Sequence, residues 1–474
     1  MCSVGEASTE RYLHLKDSRN TENFSVLMLP WLAHGRISPY LDLAKKLATR
    51  NFNIYLCFTS VNLNSINKNA TDKLSNSIHL VELNLPPLPD LPSHYHITNG
   101  LPPHLMVTLK TAFENSSLNF LKIFESLKPD LLIYDFNQPW AADIALSNNV
   151  PAVQFHMSSA FFASFLHHML SSDPTKNFLF SIPLHKYFTE KMNAMLEPSP
   201  DNAKYRDCIM EAGKRTYKVI MRRTFREIKG KYVDYLSVLS QKKSIPAGPL
   251  VQEDLENTDD RTDTIQFLDN KNESPVVFIS FGSEYFLSKD EIHEIAYGLE
   301  LSKLDFIWVV RFPFAENMKL EEALPSGFLD RVGDRGLVMV GWAPQAKILR
   351  HSSTGGFVSH CRWGSIMESM MFGVPIIAMP MHLDQPFNAL VVKEVGVGQE
   401  IERDENGNFK REEIAKMIRN LVFEKSGEIV RRKAKEMREK IRENGEKEID
   451  EVVEELVKLC KEKKDEATSS KMLE

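Results

Sequence analysis

The sequence predicts an α/β protein with two parallel-sheet domains, and three observations support this prediction. Apolar runs of strand length alternate with helical segments from Phe24 onward, and a second such series starts at Val276. The gaps between successive runs are long enough for the crossover helix that parallel strands need. Between the two series lies QEDLENTDDRTD, an acidic stretch that is typical of an interdomain linker.

Bulk composition excludes several classes of protein. The 474 residues suffice for two domains that each bury a core, and 43% hydrophobic with 26% charged residues is typical of a globular protein. The formal net charge of −6 gives no reason to expect nucleic acid or an anionic membrane surface as a partner. No run approaches the ~20 apolar residues that cross a bilayer, so we expect a cytosolic protein without membrane insertion. The five cysteines have no paired spacing and are expected to be free thiols.

The first domain is expected at residues 24–245, after a polar leader at 1–23 that predicts disorder. Its strands are predicted at 24–31, 53–59, 130–135, 152–155 and 219–224, and its helices near 39–50, 105–127 and 139–147. The proline- and histidine-rich stretch 86–104 cannot form regular structure, so we expect a functional loop there. Helical pieces at 157–214 are interpreted as an insertion.

The second domain is expected at residues 275–450, after a linker at 246–274. Its strands are predicted at 276–281, 306–310, 337–340, 355–360 and 374–379, and its helices at 289–301, 363–371 and 426–463. Gly396-Val-Gly398 follows a helix, so it indicates a turn rather than a dinucleotide fingerprint. This disfavours a dehydrogenase.

The most informative stretch runs from Trp342 to Gln385. It predicts a strand that ends at His360, a tight turn, and a helix that begins near Trp363. The N-terminus of such a helix, at the carboxyl end of a parallel strand, favours phosphate. His360 and Ser365 could donate to that phosphate, and the remaining polar and aromatic groups suit a base, a ribose and a sugar: Trp342, Glu368, Asp384 and Gln385.

This stretch resembles the donor-sugar signature of plant UDP-dependent glycosyltransferases (family 1), which also starts at a Trp and ends at a Gln. The resemblance covers essentially the whole chain after the leader. It implies the GT-B fold, in which two Rossmann-like parallel α/β domains face a central cleft. The first domain would bind the acceptor and the second the nucleotide-sugar, while residues 451–474 would return to the first domain.

The same resemblance implies roles for individual donor-site residues. Trp342 would stack on uracil beside Ala343 and Gln345, and Glu368 would bind the ribose. Asp384 and Gln385 would bind the sugar hydroxyls. The diphosphate would lie among the following residues: Ser283, His360, Trp363, Gly364 and Ser365. We find no carboxylate pair resembling the DxD motif of metal-dependent glycosyltransferases, so no metal and no other cofactor is expected.

Sugar transfer needs a base, because a hydroxyl is a poor nucleophile until its proton is removed during attack. A lone His after a strand is more often structural, but His34 lies in the first βα loop and matches the family's catalytic His. Asp135, at the end of another strand, matches the partner carboxylate that orients the imidazole and stabilises imidazolium. The alternative for Asp135 is a cap or turn carboxylate.

Two positions depart from the family's usual His-Cys-Gly-Trp-Asn-Ser, since this chain has His360-Cys-Arg-Trp-Gly-Ser. Gly364 removes a side chain that would touch phosphate, so a backbone N–H must suffice. Arg362 would be strained by about 1 kcal/mol or more if the turn required a positive φ. Alternatively, its guanidinium would reach phosphate or solvent, and reduced activity is a third possibility.

Several segments, including PWLAHG, YHITNGLPPHL and LIYDFNQPWA, look like the plant branch that extends sugar chains on existing glycosides. We therefore expect a monomeric enzyme that transfers glucose from UDP-glucose to a sugar of a triterpenoid saponin, forming a β linkage. A flavonoid or anthocyanin glycoside acceptor is the nearest alternative, and UDP-xylose or UDP-glucuronate are alternative donors. From another class, the chain could be a non-catalytic UDP-sugar-binding protein.

Overall fold

The computed structural model describes residues 22–70, 76–170, 178, 182–196, 200–251, 263–271, 275–283, 285–312 and 318–471. The predicted leader falls outside these ranges up to residue 21, and so do residues 252–262 and 272–274 of the predicted linker. Across the described ranges, no helix is long and apolar enough to cross a membrane.

One parallel sheet lies in the first half of the chain. Its strands are β1 Phe24–Leu29, β2 Phe52–Phe58, β3 Ile78–Glu82, β4 Leu131–Tyr134, β5 Ala152–His156, β6 Val219–Arg222 and β7 Lys243–Pro246. They lie in the order β3-β2-β1-β4-β5-β6-β7. The strand order reverses between β1 and β4, and ligands bind at the carboxyl ends of strands at such a switch point.

The helices of the first half cover the faces and edges of this sheet. Their bounds are α1 His34–Ala48, α2 Ser60–Ala70, α3 Met106–Glu114, α4 Ser117–Leu127, α5 Pro139–Ser147, α6 Ala160–Leu170, α7 Lys186–Leu196, α8 Pro200–Arg215 and α9 Lys231–Ser240. The predicted loop at 86–104 contains two short 3₁₀ turns, Ser93–Tyr95 and Pro103–Leu105. Its residue Thr98 donates its N–H to the carbonyl oxygen of Leu32 at 3.2 Å, which ties the loop to the start of α1.

A second parallel sheet follows in the other half of the chain. Its strands are β8 Val276–Ser280, β9 Asp305–Val310, β10 Gly336–Val340, β11 Thr354–Ser359, β12 Ile376–Ala378 and β13 Gly398–Glu400. They lie in the order β10-β9-β8-β11-β12-β13, with the reversal between β8 and β11. Together, the two sheets confirm the predicted fold class.

The helices of the second half begin inside the predicted linker. Their bounds are α10 Asp263–Asp269, α11 Lys289–Ser302, α12 Leu320–Ala323, α13 Phe328–Val332, α14 Gln345–Arg350, α15 Trp363–Phe372, α16 Gln385–Val395, α17 Arg411–Val422 and α18 Glu428–Lys471. Short 3₁₀ turns occupy Gly333–Arg335 and Lys425–Gly427.

The long terminal helix α18 joins the two halves. Its Ala434, Met437 and Ile441 belong to the same buried cluster as the apolar residues of α15. Further along, Val452 and Leu456 lie in the core formed with β1 and β2. One helix therefore packs on both sheets, and the apolar area that it buries opposes their separation.

An aromatic cluster adds a second connection between the halves. The ring centroids of Phe161 and Phe162 on α6 lie 5.8 and 5.2 Å from that of Phe387 on α16, in edge-to-face geometry. Aromatic pairs of this geometry are favourable beyond the area that they bury.

The structure corrects the predicted start of the first helix. α1 begins at His34 rather than near Pro39, so His34 is the first helical residue and not part of a loop. Proline favours the first turn of a helix, which placed the predicted start too late. The connection after β1 is short, and α1 continues through Pro39 in its second turn.

Other predicted boundaries also change. The helix predicted at 105–127 is two helices, because α3 ends at Glu114 and the hydroxyl of buried Ser116 donates to the Phe113 carbonyl oxygen at 2.6 Å. Such a side-chain bond competes with the helical ladder. The structure also contains α2, β3 and α9, which the periodicity did not indicate, and it places α10 in the predicted linker with Leu268 fully buried.

Burial of Glu448 on α18 makes the stability of the fold depend on pH. Its Oε1 accepts the N–H of Arg226 at 2.7 Å, while burial, with the nearby Glu227 and Glu451, raises the pKa of Glu448 from 4.5 to about 8. Between these pH values the folded state holds a proton that the unfolded state has lost, so stability falls as pH rises through this window. We expect Glu448→Gln to raise Tm at pH 8 by about 2 °C or more, with a gain that shrinks toward pH 5.

Thermal unfolding across pH 5–8 measures this effect, and Glu454→Gln, an exposed residue of the same helix, is the control. A gain that is equal at both ends of the pH range would contradict a titrating Glu448.

Candidate active site

The start of α1 and the end of β4 meet at the switch point of the first sheet. β1 pairs with β4 through Leu29 and Tyr134, and the N–H of Asp135 donates to the Leu29 carbonyl oxygen at 3.2 Å. Asp135 therefore lies beside the short connection that leads to His34. The side chain of His34 lies outside the described part of the structure.

Asp135 is fully buried and is held by three contacts. Its Oδ1 accepts from the backbone N–H and the Nδ2 of Asn137, at 3.2 and 2.9 Å, and Arg36 Nη1 lies 3.4 Å from Oδ2. Burial raises the pKa of Asp135, whereas the Arg36 charge and the Asn137 hydrogen bonds lower it. Burial is the largest of these effects, so the pKa of Asp135 lies above its ordinary value of 3.8, and Arg36 and Asn137 limit that rise.

Arg36 is a site residue that the sequence reasoning missed. It lies two residues after His34 in the same helical turn, and its guanidinium lies 5.3 Å from the ring centroid of Phe136. Its proximity to His34 in sequence was an available signal, but the pairing with Asp135 depends on the contact between β1 and β4.

On the other side, α15 presents an uncapped N-terminus. Arg362 is its N-cap residue with φ −65° and ψ 139°, and no side chain caps the helix. The first N–H groups of a helix have no partner within it, and they attract anions. The positive φ belongs to Cys361, at 65°, so the condition under which Arg362 would be strained is not met.

His360 lies between this helix and the loop after β8. A Cβ on Gly282, whose φ is +74°, would lie 2.6 Å from His360 Nε2, so only glycine lets the 282–283 segment approach the ring this closely. Ser283 follows in the same half-buried loop. Burial, with the charges of Arg362 and His382, lowers the pKa of His360 to about 3, which leaves a neutral imidazole that can donate one N–H.

The groups predicted to bind the base and ribose lie together. Gln345 Nε2 donates to Glu368 Oε2 at 2.8 Å and to Ser365 Oγ at 3.2 Å. Burial raises the pKa of Glu368, and the Gln345 hydrogen bond and the charge of Arg223 lower it. Ala343 is buried, and its carbonyl oxygen accepts the Gln345 N–H at 2.8 Å. The Trp342 side chain is 56% exposed, so one ring face is accessible for stacking.

Gln385, predicted to bind a sugar hydroxyl, is fully buried, and its Oε1 accepts the N–H groups of Met381 and His382 at 2.8 and 3.1 Å. The amide oxygen therefore holds the 381–384 turn, and the role of Gln385 in sugar binding stays a prediction. Asp384 is half-buried, and its Oδ2 accepts from Asn388 Nδ2 at 2.9 Å.

Trp363, predicted in the donor site, is the first residue of α15. Its ring is buried in the cluster shared by the two halves, and its Nε1 donates to the carbonyl oxygen of Arg223 at 2.6 Å. The indole therefore joins α15 to the segment after β6. Any contact between Trp363 and a ligand is left to its backbone N–H.

Cys361 is fully buried just before α15. Burial raises the pKa of the Cys361 thiol well above its ordinary value, which suits packing and disfavours a thiolate nucleophile. Within the ranges that the structure describes, no three His, Cys, Asp or Glu side chains are grouped so that they could hold a metal ion. Metal independence stays a prediction.

Family comparisons agree with this geometry. Residues 254–426 match the family described as UDP-glucoronosyl and UDP-glucosyl transferase, and residues 22–252 match the glycosyltransferase N-terminal domain. The chain is 53% identical to UDP-glucosyltransferase 29 of Panax ginseng over 444 residues, which cover 93% of this chain and 98% of the relative. It is 46% identical over 439 residues to the beta-D-glucosyl crocetin beta-1,6-glucosyltransferase of Gardenia jasminoides, covering 92% and 99%.

Solved structures show the same architecture. Phytolacca americana UGT2, complexed with UDP-2fluoro-glucose and pterostilbene, is 27% identical with a TM-score of 0.74, covering 91% of this chain and 99% of that one. The chain therefore belongs to the family of UDP-dependent glycosyltransferases and has their GT-B fold.

Proposed function

We propose that this enzyme transfers glucose from UDP-glucose to a sugar hydroxyl of a triterpenoid glycoside, with inversion at the anomeric carbon. The observation that supports this most is that helix α1, whose first turn lies beside Asp135, and helix α15, whose N-terminus is uncapped, are linked through a single residue. Arg223 is bonded to Trp363 of α15 and interacts electrostatically with Asp42 of α1 and Glu368 of α15.

The donor would bind along the second half. Uracil would stack on the exposed face of Trp342, the ribose hydroxyls would bind to Glu368, and the diphosphate would lie over the first turn of α15. His360 would donate its neutral N–H to a phosphate oxygen. Asp384 would bind a sugar hydroxyl, and Gln385 would shape the turn that carries it.

His34 would act as the general base. In one displacement, the acceptor oxygen attacks the anomeric carbon, its proton passes to the His34 imidazole, and the bond from that carbon to the phosphate oxygen breaks. Asp135 would stabilise the imidazolium that forms. The electron pair leaves with UDP, whose charge the helix N-terminus and the surrounding donors stabilise.

The acceptor assignment draws on relatives and on a cavity. One similar protein is the mogroside IIIx synthase of Siraitia grosvenorii, at 49% identity, and another is the crocetin glucoside enzyme named above. A cavity of about 500 Å³ lies at the carboxyl ends of β2 and β3, walled largely by the leucines and prolines of 83–92. Such a lining suits the apolar body of a glycoside.

A flavonoid glycoside acceptor with a glucuronate donor is the second candidate. It is favoured by 46% identity to the cyanidin-3-O-glucoside 2-O-glucuronosyltransferase of Bellis perennis. The expected monomeric state and cytosolic location stay predictions.

Product analysis tests the proposed function. With a panel of triterpenoid and flavonoid glycosides and three UDP-sugars, each assayed with and without EDTA, we expect one added hexose on a triterpenoid glycoside from UDP-glucose under both conditions. Mass spectrometry and linkage analysis of the products provide the measurement. UDP binding without turnover across the panel would favour the non-catalytic alternative, and loss of turnover in EDTA alone would contradict metal independence.

Replacement of the proposed base tests its role. We expect His34→Ala to lower kcat by about 10²–10⁴-fold, since general base catalysis contributes about that much. UDP affinity, measured by calorimetry, should stay unchanged. His79→Ala, an exposed histidine on β3, is the control. Undiminished transfer by His34→Ala would rule out the mechanism.

Removal of the Arg36 charge should change the pH dependence. Without that charge, burial of Asp135 is less compensated, so its pKa rises and ionisation requires a higher pH. We expect Arg36→Met to move the acidic limb of the kcat/KM profile upward by about one pH unit. Arg50→Met, beyond the end of α1, should leave the profile in place. An unshifted acidic limb in Arg36→Met would show that the ion pair does not control the active protonation state.

A further inference from the structure

Arg223 follows β6 in the first half and is held rigidly. It is 4% exposed, its Nε donates to the Pro249 carbonyl oxygen at 2.9 Å, and its Nη2 donates to the Leu250 carbonyl oxygen at 3.0 Å. Its backbone N–H donates to the carbonyl oxygen of His156 at 2.9 Å, and its own carbonyl oxygen accepts a hydrogen bond from the Trp363 indole N–H. A long cationic side chain is thus fixed in one orientation.

The remaining guanidinium nitrogen points at the start of α15. A Cβ on Gly364 would lie 3.1 Å from Arg223 Nη1, so the guanidinium lies against the space where other residue types carry a side chain. Gly364 is the second residue of α15, whose N-terminus has no side-chain cap. The cation from the first half and the helix N-terminus from the second half therefore face the same volume.

The charge in this volume favours an anion. Burial lowers the pKa of Arg223 to about 10, which leaves the guanidinium charged at neutral pH. Glu368 and Asp42 attract this charge and Arg36 repels it, and burial raises the pKa of Asp42 to about 6. A buried cation is costly unless it is paired, and planar guanidinium matches phosphate oxygens. A bound diphosphate would supply the pairing that these two carboxylates provide only in part.

We propose that Arg223 binds the diphosphate of the nucleotide-sugar donor across the cleft, in the space that Gly364 leaves open. The inference rests on the proposed function, because it requires UDP at the N-terminus of α15. Arg223 would then compensate for the side chain that this chain lacks at position 364. It would also connect the two halves through the donor, since both halves would bind the diphosphate.

Calorimetric titration with UDP and with uridine tests the inference, since only UDP carries the diphosphate. We expect Arg223→Gln to weaken UDP binding about tenfold or more, as for a lost charge-assisted hydrogen bond, and to leave uridine binding within about twofold. Arg223→Lys keeps a charge and should retain more UDP affinity than Arg223→Gln. Equal losses for UDP and uridine, or no loss of UDP affinity, would overturn the proposal and assign Arg223 a structural role.

Substitutions at position 364, alone and combined with a substitution of Arg223, provide an independent test. Gly364→Asn should weaken UDP binding, because the added side chain competes with Arg223 for one space. In Arg223→Ala with Gly364→Asn, the amide should recover part of the UDP affinity that Arg223→Ala loses. Strictly additive losses would contradict a shared space. If the wild-type protein bound neither UDP nor uridine, the proposed function itself would fail.

Discussion

The hydrogen bond between the Trp363 indole and the Arg223 carbonyl oxygen, buried inside an apolar cluster, fixes the arrangement of the two halves together with the packing of α18 on both sheets. It joins the first residue of α15 to the residue that follows β6. The cluster around it contains side chains from α6, α15, α16 and α18. A buried N–H donor that lost this partner would pay its desolvation cost, so the contact is maintained only in one relative position of the halves. That position sets the carboxyl ends of both sheets against one cleft.

Burial controls the protonation of the groups at this junction. It favours a neutral His360, which avoids placing a second cation beside Arg362, and it raises the pKa of both Asp135 and Glu368. The Arg36 charge lowers the pKa of Asp135, and the Gln345 hydrogen bond lowers the pKa of Glu368. The site thus contains two acids whose ionised state depends on specific partners, which also include Asn137 for Asp135 and Arg223 for Glu368. Such dependence is typical of functional-site residues that accept a proton or a hydrogen bond during the reaction.

The sequence predicted the parts of this structure that depend on local pattern. Continuous apolar runs indicated the central strands, because parallel strands are covered on both faces, and α5 was predicted with its bounds. The donor-site stretch was identified as one unit because strand, turn and helix are consecutive in sequence. The start of α1 was misplaced because a proline rule outweighed the short connection after β1.

Contacts between distant residues were beyond sequence reasoning. The approach of Arg223 to Gly364 joins positions in different halves of the chain, and neither residue type indicates the other. The buried state of Gln385 depends on the backbone of the 381–384 turn, and the Arg36–Asp135 pair depends on strand order. Each of these requires the assembled fold, since pattern and propensity describe only the local chain.

The central claim is that groups from both halves converge on one reacting sugar. A crystal structure of the protein with UDP and a triterpenoid glycoside tests it most directly. We expect the diphosphate within hydrogen-bond distance of the first N–H groups of α15, and an acceptor hydroxyl about 2.6–3.2 Å from the His34 ring. A diphosphate bound away from α15, or a His34 ring that faces away from the acceptor, would contradict it.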